Sequence, residues 1–291
     1  FFGMLPKELN DCKMYGVEVD SISGRIAQQL YQKSTIAIQP FEKTNMPDNF
    51  FDVAIGNVPF DNMIKPNDRR YNKNKFVIHD YFFAKTLDKV RPGGIIAFIT
   101  SKFTLDKENN SVRKYLSQRA ELIGAIRLPD NTFKNNAGTE VTSDIIFLKK
   151  RDKITDIEES WVNIDTTENG IQMNKYFIDN PNMIMGKMVL ESSQYGGEQS
   201  ACKMIEGNDL DYMLSNAISN LEAKIEEYEF DEVIEEEKYI QADPTVNNYS
   251  YTIIDEKVYY RENSIMIEKD LSETTRNRIK GMVEIRDSVR R

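Results

Sequence analysis

Eleven consecutive residues, Phe50-Phe51-Asp52-Val53-Ala54-Ile55-Gly56-Asn57-Val58-Pro59-Phe60, restrict this chain more than any other stretch. Phe51, Val53 and Ile55 alternate as the inward side chains of a strand do, and their β-branched and aromatic types agree. Gly56 closes the apolar run, and the strand is expected to stop there. At its carboxyl end it delivers an amide side chain, the Val58 carbonyl and the Phe60 ring. In open α/β sheets, ligands bind at that end.

The flanking sequence alternates β and α patterns. Residues 4–12 read as a short helix and Tyr15-Gly16-Val17-Glu18-Val19-Asp20 as a short strand ending in carboxylates. Ser21 is a candidate N-cap for a helix to about residue 31, with Ile22, Ile26 and Leu30 on its apolar face. Residues 35–42 form a second β candidate. After Phe60 a polar segment, 61–75, carries Lys65, Arg69, Arg70, Lys73 and Lys75 around Tyr71 without apolar periodicity. Loops of that length inside a domain are usually functional or disordered. A helix over 80–90 is stopped by Arg91-Pro92-Gly93-Gly94 before a strand at 95–100, and a helix over 111–118 leads to strands at 122–128 and 143–149. Only residues 131–142 separate the last two strands, so an antiparallel terminal pair on an otherwise parallel sheet is expected. Alternation of this kind predicts an α/β domain over 1–152.

From 153 to 291 the pattern predicts a smaller, mixed α+β region, with the boundary near 151–159. It contains an amphipathic helix at 210–228, an acidic run at 231–237, a hairpin around Asp255-Glu256, and a helix over 274–289 with Ile279, Met282, Val283 and Ile285 as its apolar side. Charge divides the same way. Lys and Arg outnumber Asp and Glu 23 to 18 through Asp152, and are outnumbered 15 to 29 afterwards, so the net charge of −9 hides a basic first half that keeps nucleic acid open as a partner. Cys12 and Cys202 lie far apart and His79 is the only histidine, which argues against a zinc site or disulfide framework and fits a reducing, cytoplasmic setting. No apolar run approaches the roughly 18 residues needed to span a bilayer. The opening Phe1-Phe2-Gly3-Met4-Leu5-Pro6, without an initiator Met, is expected of an excised interior stretch.

Read alone, Asn57-Val58-Pro59-Phe60 could be a strand-ending turn in which Asn57 caps and Phe60 packs. It also resembles the Asn-Pro-Pro-Tyr-type motif of S-adenosylmethionine-dependent amino-group methyltransferases. An exocyclic adenine amine is a poor nucleophile because its lone pair is delocalised into the ring. Two acceptors, the Asn57 Oδ1 and the Val58 carbonyl, could draw it towards sp³ character and spread the developing charge. In this resemblance Asn57, Val58, Pro59 and Phe60 form the catalytic set, with Phe60 stacking on the base.

The likeness runs through the first half. Glu18, with Val19 beside it, matches the acidic residue that takes the cofactor ribose hydroxyls; Phe41 and Glu42 stand at the adenine-contacting position, where Pro40 replaces the usual Asp. Phe1-Phe2-Gly3 looks like the tail of the methionine-binding turn, whose strand and glycines are expected just upstream. His79 in His-Asp-Tyr-Phe-Phe, together with Asn57, is implied to border the cofactor. With Arg-Pro-Gly-Gly, the set resembles the adenine-specific DNA methylase domain of large bacterial mobile-element proteins that also carry helicase segments. The resemblance implies a Rossmann-like sheet lacking its first strand, S-adenosylmethionine as cofactor, DNA as partner with Lys65, Arg69, Arg70, Tyr71, Lys73 and Lys75 on its backbone, and a helicase segment of the same full-length chain. Two other readings stay open: an amino-methyltransferase of this fold acting on protein glutamine or rRNA guanine, and a non-catalytic interaction module of a larger DNA-processing protein.

Overall fold

The structure, a computed structural model, describes residues 1–9, 11–60, 64–192, 197–221, 239–243, 245–247, 249–262, 265–269 and 271–289. Its contacts divide the chain into two units, Phe1–Glu226 and Glu227–Arg291.

In the first unit, the helix expected over 4–12 is replaced by two short 3-10 turns, Phe2–Met4 and Lys7–Leu9. Pro6 stands between them and has no N–H to continue a helix. β1 (Tyr15–Glu18), α1 (Ser21–Leu30) and β2 (Thr35–Ile38) form a βαβ unit with β1 and β2 parallel. The cap of α1 is Asp20, one residue before the expected Ser21, its carboxylate accepting from the Ser23 amide at 2.7 Å. α1 lies on β2 through Gly24, where an added Cβ would sit 2.8 Å from Ile38 Cγ1. The face expected to be buried points outward: Ile22, Ile26 and Leu30 are all exposed.

A four-stranded sheet follows. β3 (Phe51–Asn57) leads through α2 (Ile78–Lys89) to β4 (Val90–Ser101), which pairs with it in parallel. After α3 (Phe103–Asp106) and α4 (Ser111–Ser117) come β5 (Ala120–Leu128), α5 (Lys134–Ala137) and β6 (Ser143–Lys150). The spatial order is β3-β4-β6-β5, with β6 antiparallel to both neighbours. The connection between β5 and β6 holds only the four-residue α5, too little for the crossover a parallel return requires. β1/β2 and β3/β4 are separate ladders that begin side by side, the Tyr15 ring lying 5.6 Å from Phe50 and 5.3 Å from Phe51.

Strand periodicity in β3 is as expected, but the covered face is the other one. Val53 and Ile55 are 53% and 56% exposed. Ala54 and Gly56 point to the core, where Gly56 lies beneath Phe98; a Cβ there would come 3.3 Å from that ring. α2 supplies the opposing layer through Tyr81, Phe83, Ala84 and Leu87, and Phe83 meets Phe98 edge-on at 5.1 Å.

This core does not end at residue 152. A 3-10 turn at Ser160–Val162, β7 (Ile164–Thr166), β8 (Gln172–Asn174), α6 (Lys175–Asp179), the antiparallel pair β9 (Lys187–Ser192) and β10 (Glu198–Lys203), and α7 (Leu210–Ser219) complete the first unit. Trp161, Met173, Phe177, Met183 and Ala217 are buried in the same cluster as α2 and the sheet. Buried polar groups tie the segments together: Arg113 Nε donates to the Val162 carbonyl at 2.7 Å, and Asn174 Nδ2 donates to the Leu105 and Trp161 carbonyls at 2.9 and 2.8 Å. Hence the composition change near 151–159 is not the boundary between structural units. Of the helix expected at 210–228, the last residues lie outside the described set, as does the acidic run at 231–237.

In the second unit, β11 (Tyr239–Gln241), β12 (Tyr251–Ile254), β13 (Lys257–Glu262) and β14 (Ile265–Glu268) form an antiparallel sheet of order β11-β14-β13-β12. The expected hairpin is present, its two turn residues Asp255 and Glu256 both left-handed at φ 48° and 66°. α8 (Glu273–Val289) buries Val283 and half-buries Ile279, whereas Met282 and Ile285 face outward. Among the described residues no helix is long and apolar enough to cross a membrane.

Candidate active site

The end of β3 alternates outward and inward, and this places the motif. Asn57 is its last residue and is exposed; Val58 is 2% exposed, and its amide donates to the Ile99 carbonyl at 3.0 Å, carrying the β4 pairing one step beyond the strand. Pro59 then ends the ladder, and Pro59 and Phe60 are exposed. A buried β-branched side chain and a ladder hydrogen bond from its amide therefore anchor Val58, the residue that carries the carbonyl, while the amide of Asn57 and the ring of Phe60 stand clear of the core.

The polar segment after the motif is tethered. Asp68 organises it: Oδ1 accepts from the Arg70 amide at 3.1 Å, Oδ2 from Tyr81 Oη at 2.8 Å and Lys85 Nζ at 3.3 Å, and its carbonyl from the Tyr71 amide at 3.0 Å. Burial would raise the Asp68 pKa, but these hydrogen bonds outweigh it and hold the carboxyl below its usual range. Tyr71, expected to face DNA, is instead buried, its hydroxyl on Asp88 Oδ2. Burial, then Asp88, pushes its ionisation well above the ordinary phenol range. Arg70, expected on the DNA backbone, pairs with Asp48 at 2.7 Å and Asp88 at 2.9 Å and serves as a second anchor. Lys65, Arg69, Lys73 and Lys75 are exposed, and Lys75 takes a left-handed backbone at φ 53°. Thus five of the six residues grouped by sequence are exposed, Arg70 among them though ion-paired, and Tyr71 is buried.

His79 is 1% exposed in the first turn of α2, its Nε2 3.5 Å from Asp80 Oδ1, and Asp80 is also paired with Lys107. Protein encloses it; it is not on an open cofactor surface.

The other group of residues gathers on β1 and the turn after β2. Glu18, the last residue of β1, is half-buried, and its Oε1 accepts from the Asp20 amide at 2.9 Å; Val19 is exposed. Phe41 and Glu42 open a 3-10 turn, Phe41–Lys43, half-buried against α2. The Phe41 ring is 4.7 Å from Phe82 and 6.1 Å from Tyr81, with Lys85 Nζ 5.1 Å from its centroid. Phe2 packs edge-on to Tyr31 at 5.3 Å and lies against Gly16, where a Cβ would meet its ring at 3.3 Å. Phe1 is exposed, and a Cβ on Gly3 would come 2.9 Å from Tyr31 Oη.

The family model described as N-6 DNA Methylase matches residues 7–211, from before β1 into α7. The chain belongs to the N-6 DNA methylase family. Its α/β fold, with parallel β1/β2 and β3/β4 pairs and an antiparallel end, is the methyltransferase arrangement expected from the sequence. The family match also continues well past residue 152, in agreement with the shared core.

Among relatives of this family member, Defense against restriction protein B of Escherichia phage P1 is 36% identical over 143 residues, 47% of this chain and 6% of that protein. The chain thus spans a small part of that relative's length. A crystal structure of the type I restriction enzyme EcoKI M protein aligns over 75% of this chain and 60% of its own at 13% identity, with a TM-score of 0.43. A class I S-adenosylmethionine-dependent methyltransferase from Listeria monocytogenes aligns over 50% and 46% at 21% identity, with a TM-score of 0.41.

Motif reading in this N-6 DNA methylase family member overlooked Asp68 and Lys85. A signal for Lys85 existed: Tyr81, Lys85, Asp88 and Lys89 recur at helical spacing on α2, a polar stripe beside the apolar Ile78, Phe82, Phe83, Ala84 and Leu87.

Proposed function

We propose that the chain is the catalytic region of a DNA adenine-N6 methyltransferase, transferring methyl from S-adenosylmethionine to an adenine turned out of its duplex. The observation that carries this reading is the end of β3, where Asn57 and Phe60 are exposed on either side of Val58, whose side chain is buried and whose amide is held by β4. In the proposed pose the adenine amine donates one N–H to Asn57 Oδ1 and the other to the Val58 carbonyl, and Phe60 covers the base. Both acceptors are neutral, so they localise the nitrogen lone pair without removing a proton first. Their value lies in being in place before charge develops. Holding the amine in line with the methyl group supplies much of the remaining acceleration.

The residues present fit the cofactor. The Glu18 carboxylate, steadied by the Asp20 amide, suits a pair of ribose hydroxyls, and half-buried Phe41 with Glu42 offers an apolar and a polar surface for the adenine. When bound, S-adenosylmethionine supplies a methyl group on a positively charged sulfur. A duplex adenine must leave the stack to reach Asn57, and Lys65, Arg69, Lys73 and Lys75 on the neighbouring loop suit the distorted phosphate backbone. DNA is the partner of this reading, along with the helicase segment implied by the sequence resemblance.

The test is methyl transfer from radiolabelled S-adenosylmethionine to DNA, protein and ribosomal RNA acceptors, with products identified after digestion. N6-methyladenine from DNA is expected. Label in glutamine or guanine alone would replace this reading, and no transfer to any acceptor would reject it.

A further inference from the structure

Lys85 lies on α2 where two otherwise separate segments meet. Its side chain is 4% exposed, and its ammonium donates to the Phe41 carbonyl at 2.8 Å, the Glu42 carbonyl at 3.2 Å and Asp68 Oδ2 at 3.3 Å. Three N–H groups thus meet three acceptors, two from the turn after β2 and one from the loop after the β3 motif. The same Asp68 oxygen takes the Tyr81 hydroxyl, and Lys85 Nζ lies 5.1 and 5.7 Å from the Phe41 and Tyr81 ring centroids.

Packing alone does not call for such a group. A leucine or methionine would fill the space on α2 without the desolvation that lysine suffers, and desolvation here lowers the affinity of Lys85 for its proton even with Asp68 beside it. What lysine adds is a rigid, fully satisfied joint between the Phe41–Lys43 turn and the 64–75 loop. If either segment moves, the ammonium must follow or lose an acceptor, and the other segment is then drawn with it.

We propose that Lys85 is a positioning residue that couples the cofactor-side turn at Phe41–Lys43 to the target-side loop at 64–75, so that occupation of one favours the bound arrangement of the other. This rests on the functional reading above. By reciprocity, S-adenosylhomocysteine should tighten DNA binding by the same factor that DNA tightens S-adenosylhomocysteine binding.

The decisive variants are Asp68→Asn, which removes the carboxylate charge that faces Lys85 without replacing a residue of the turn, and Lys85→Met, which removes the joint. Asp68 has another route to the turn, from Tyr81 Oη to the ring packed on Phe41, and Tyr81→Phe is the control for it. The amides of Lys43 and Thr44, which donate to the Pro40 and Phe41 carbonyls at 3.0 and 3.1 Å, should exchange with deuterium about tenfold faster in Asp68→Asn than in that control. Unchanged exchange there would overturn the proposal. In a second measurement, a fluorescent single-stranded oligonucleotide is titrated with and without S-adenosylhomocysteine. The wild-type protein should bind it at least about fivefold tighter with the cofactor product, and that factor should approach one in both variants. A purely structural lysine would lower thermal stability and leave the factor intact, which would also overturn the proposal. A wild-type protein that binds neither ligand counts against the functional reading, while the exchange result still decides the coupling.

Discussion

Val58 donates its amide hydrogen to the Ile99 carbonyl at 3.0 Å, one residue after β3 has ended. That bond fixes the Asn57–Val58 peptide and, with the buried Val58 side chain, anchors the residue whose carbonyl is assigned to the target amine. Replacing Asn57 by Ala removes one of two acceptors without disturbing this anchor. The expected result is a fall of about 10²–10³-fold in kcat with cofactor affinity nearly unchanged, measured by single-turnover methylation and calorimetry. Full activity in Asn57→Ala would sink the mechanism.

Loop charges should behave in two classes. Each Ala substitution at Lys65, Arg69, Lys73 or Lys75 is expected to reduce the slope of log affinity against log salt by about one and to weaken all DNA sequences alike. Arg70→Ala should instead loosen the loop, because Arg70 is paired with Asp48 and Asp88, so protease cleavage within 64–75 should rise. Titrations at several salt concentrations, alongside limited proteolysis, separate the two classes.

A buried ion cluster joins β5 and β6. Arg127 on β5 holds Asp144 of β6 with hydrogen bonds of 2.8 and 2.9 Å, pairs with Asp106 at 2.8 Å, and lies over the Phe177 ring at 4.2 Å. Burial opposes the Arg127 charge, but the two carboxylates outweigh it and raise its proton affinity. Arg127→Met should destabilise the protein by about 3–5 kcal/mol in urea unfolding, since it leaves two buried acids without their cation. Adding Asp144→Leu and Asp106→Asn to that variant should recover part of the loss.

The two cysteines should differ sharply. Cys12 is exposed, whereas Cys202 is buried, and burial pushes its thiol up to about 12. One thiol per chain should react with a disulfide reagent in native buffer at pH 8, and two in denaturant. The neutral thiol is favoured in the folded state, so its contribution to stability is complete below about 9, the ordinary value, and is lost as pH rises towards about 12. Cys202→Ala should flatten that part of the stability profile.

Part of the candidate site was legible in the sequence. The alternation in Phe51, Val53 and Ile55 and the placing of Asn57-Val58-Pro59-Phe60 at the strand's end follow from strand periodicity, which depends on near neighbours. The exposure of Asn57, by contrast, came from the outward turn of Val53 and Ile55, which lie in phase with it. Placement of Tyr71 and Arg70 was not legible, because a basic, polar loop looks the same whether its charges meet solvent or acids from Asp48 and Asp88. His79 was ambiguous for the same reason.

What the sequence by itself determined is the order of strands and helices, the presence of the Asn57–Phe60 motif at a strand's end, and the family. Tertiary structure decided which side of each element is covered, turning Ile22, Ile26, Val53 and Ile55 outward, and it carried the first unit past residue 152. It also created the Lys85 joint, whose partners lie 44, 43 and 17 residues away in the chain. The physical reason is range: backbone period and turn chemistry are set within a few residues, but burial and the pairing of a charge are set by whichever distant segment the fold brings alongside.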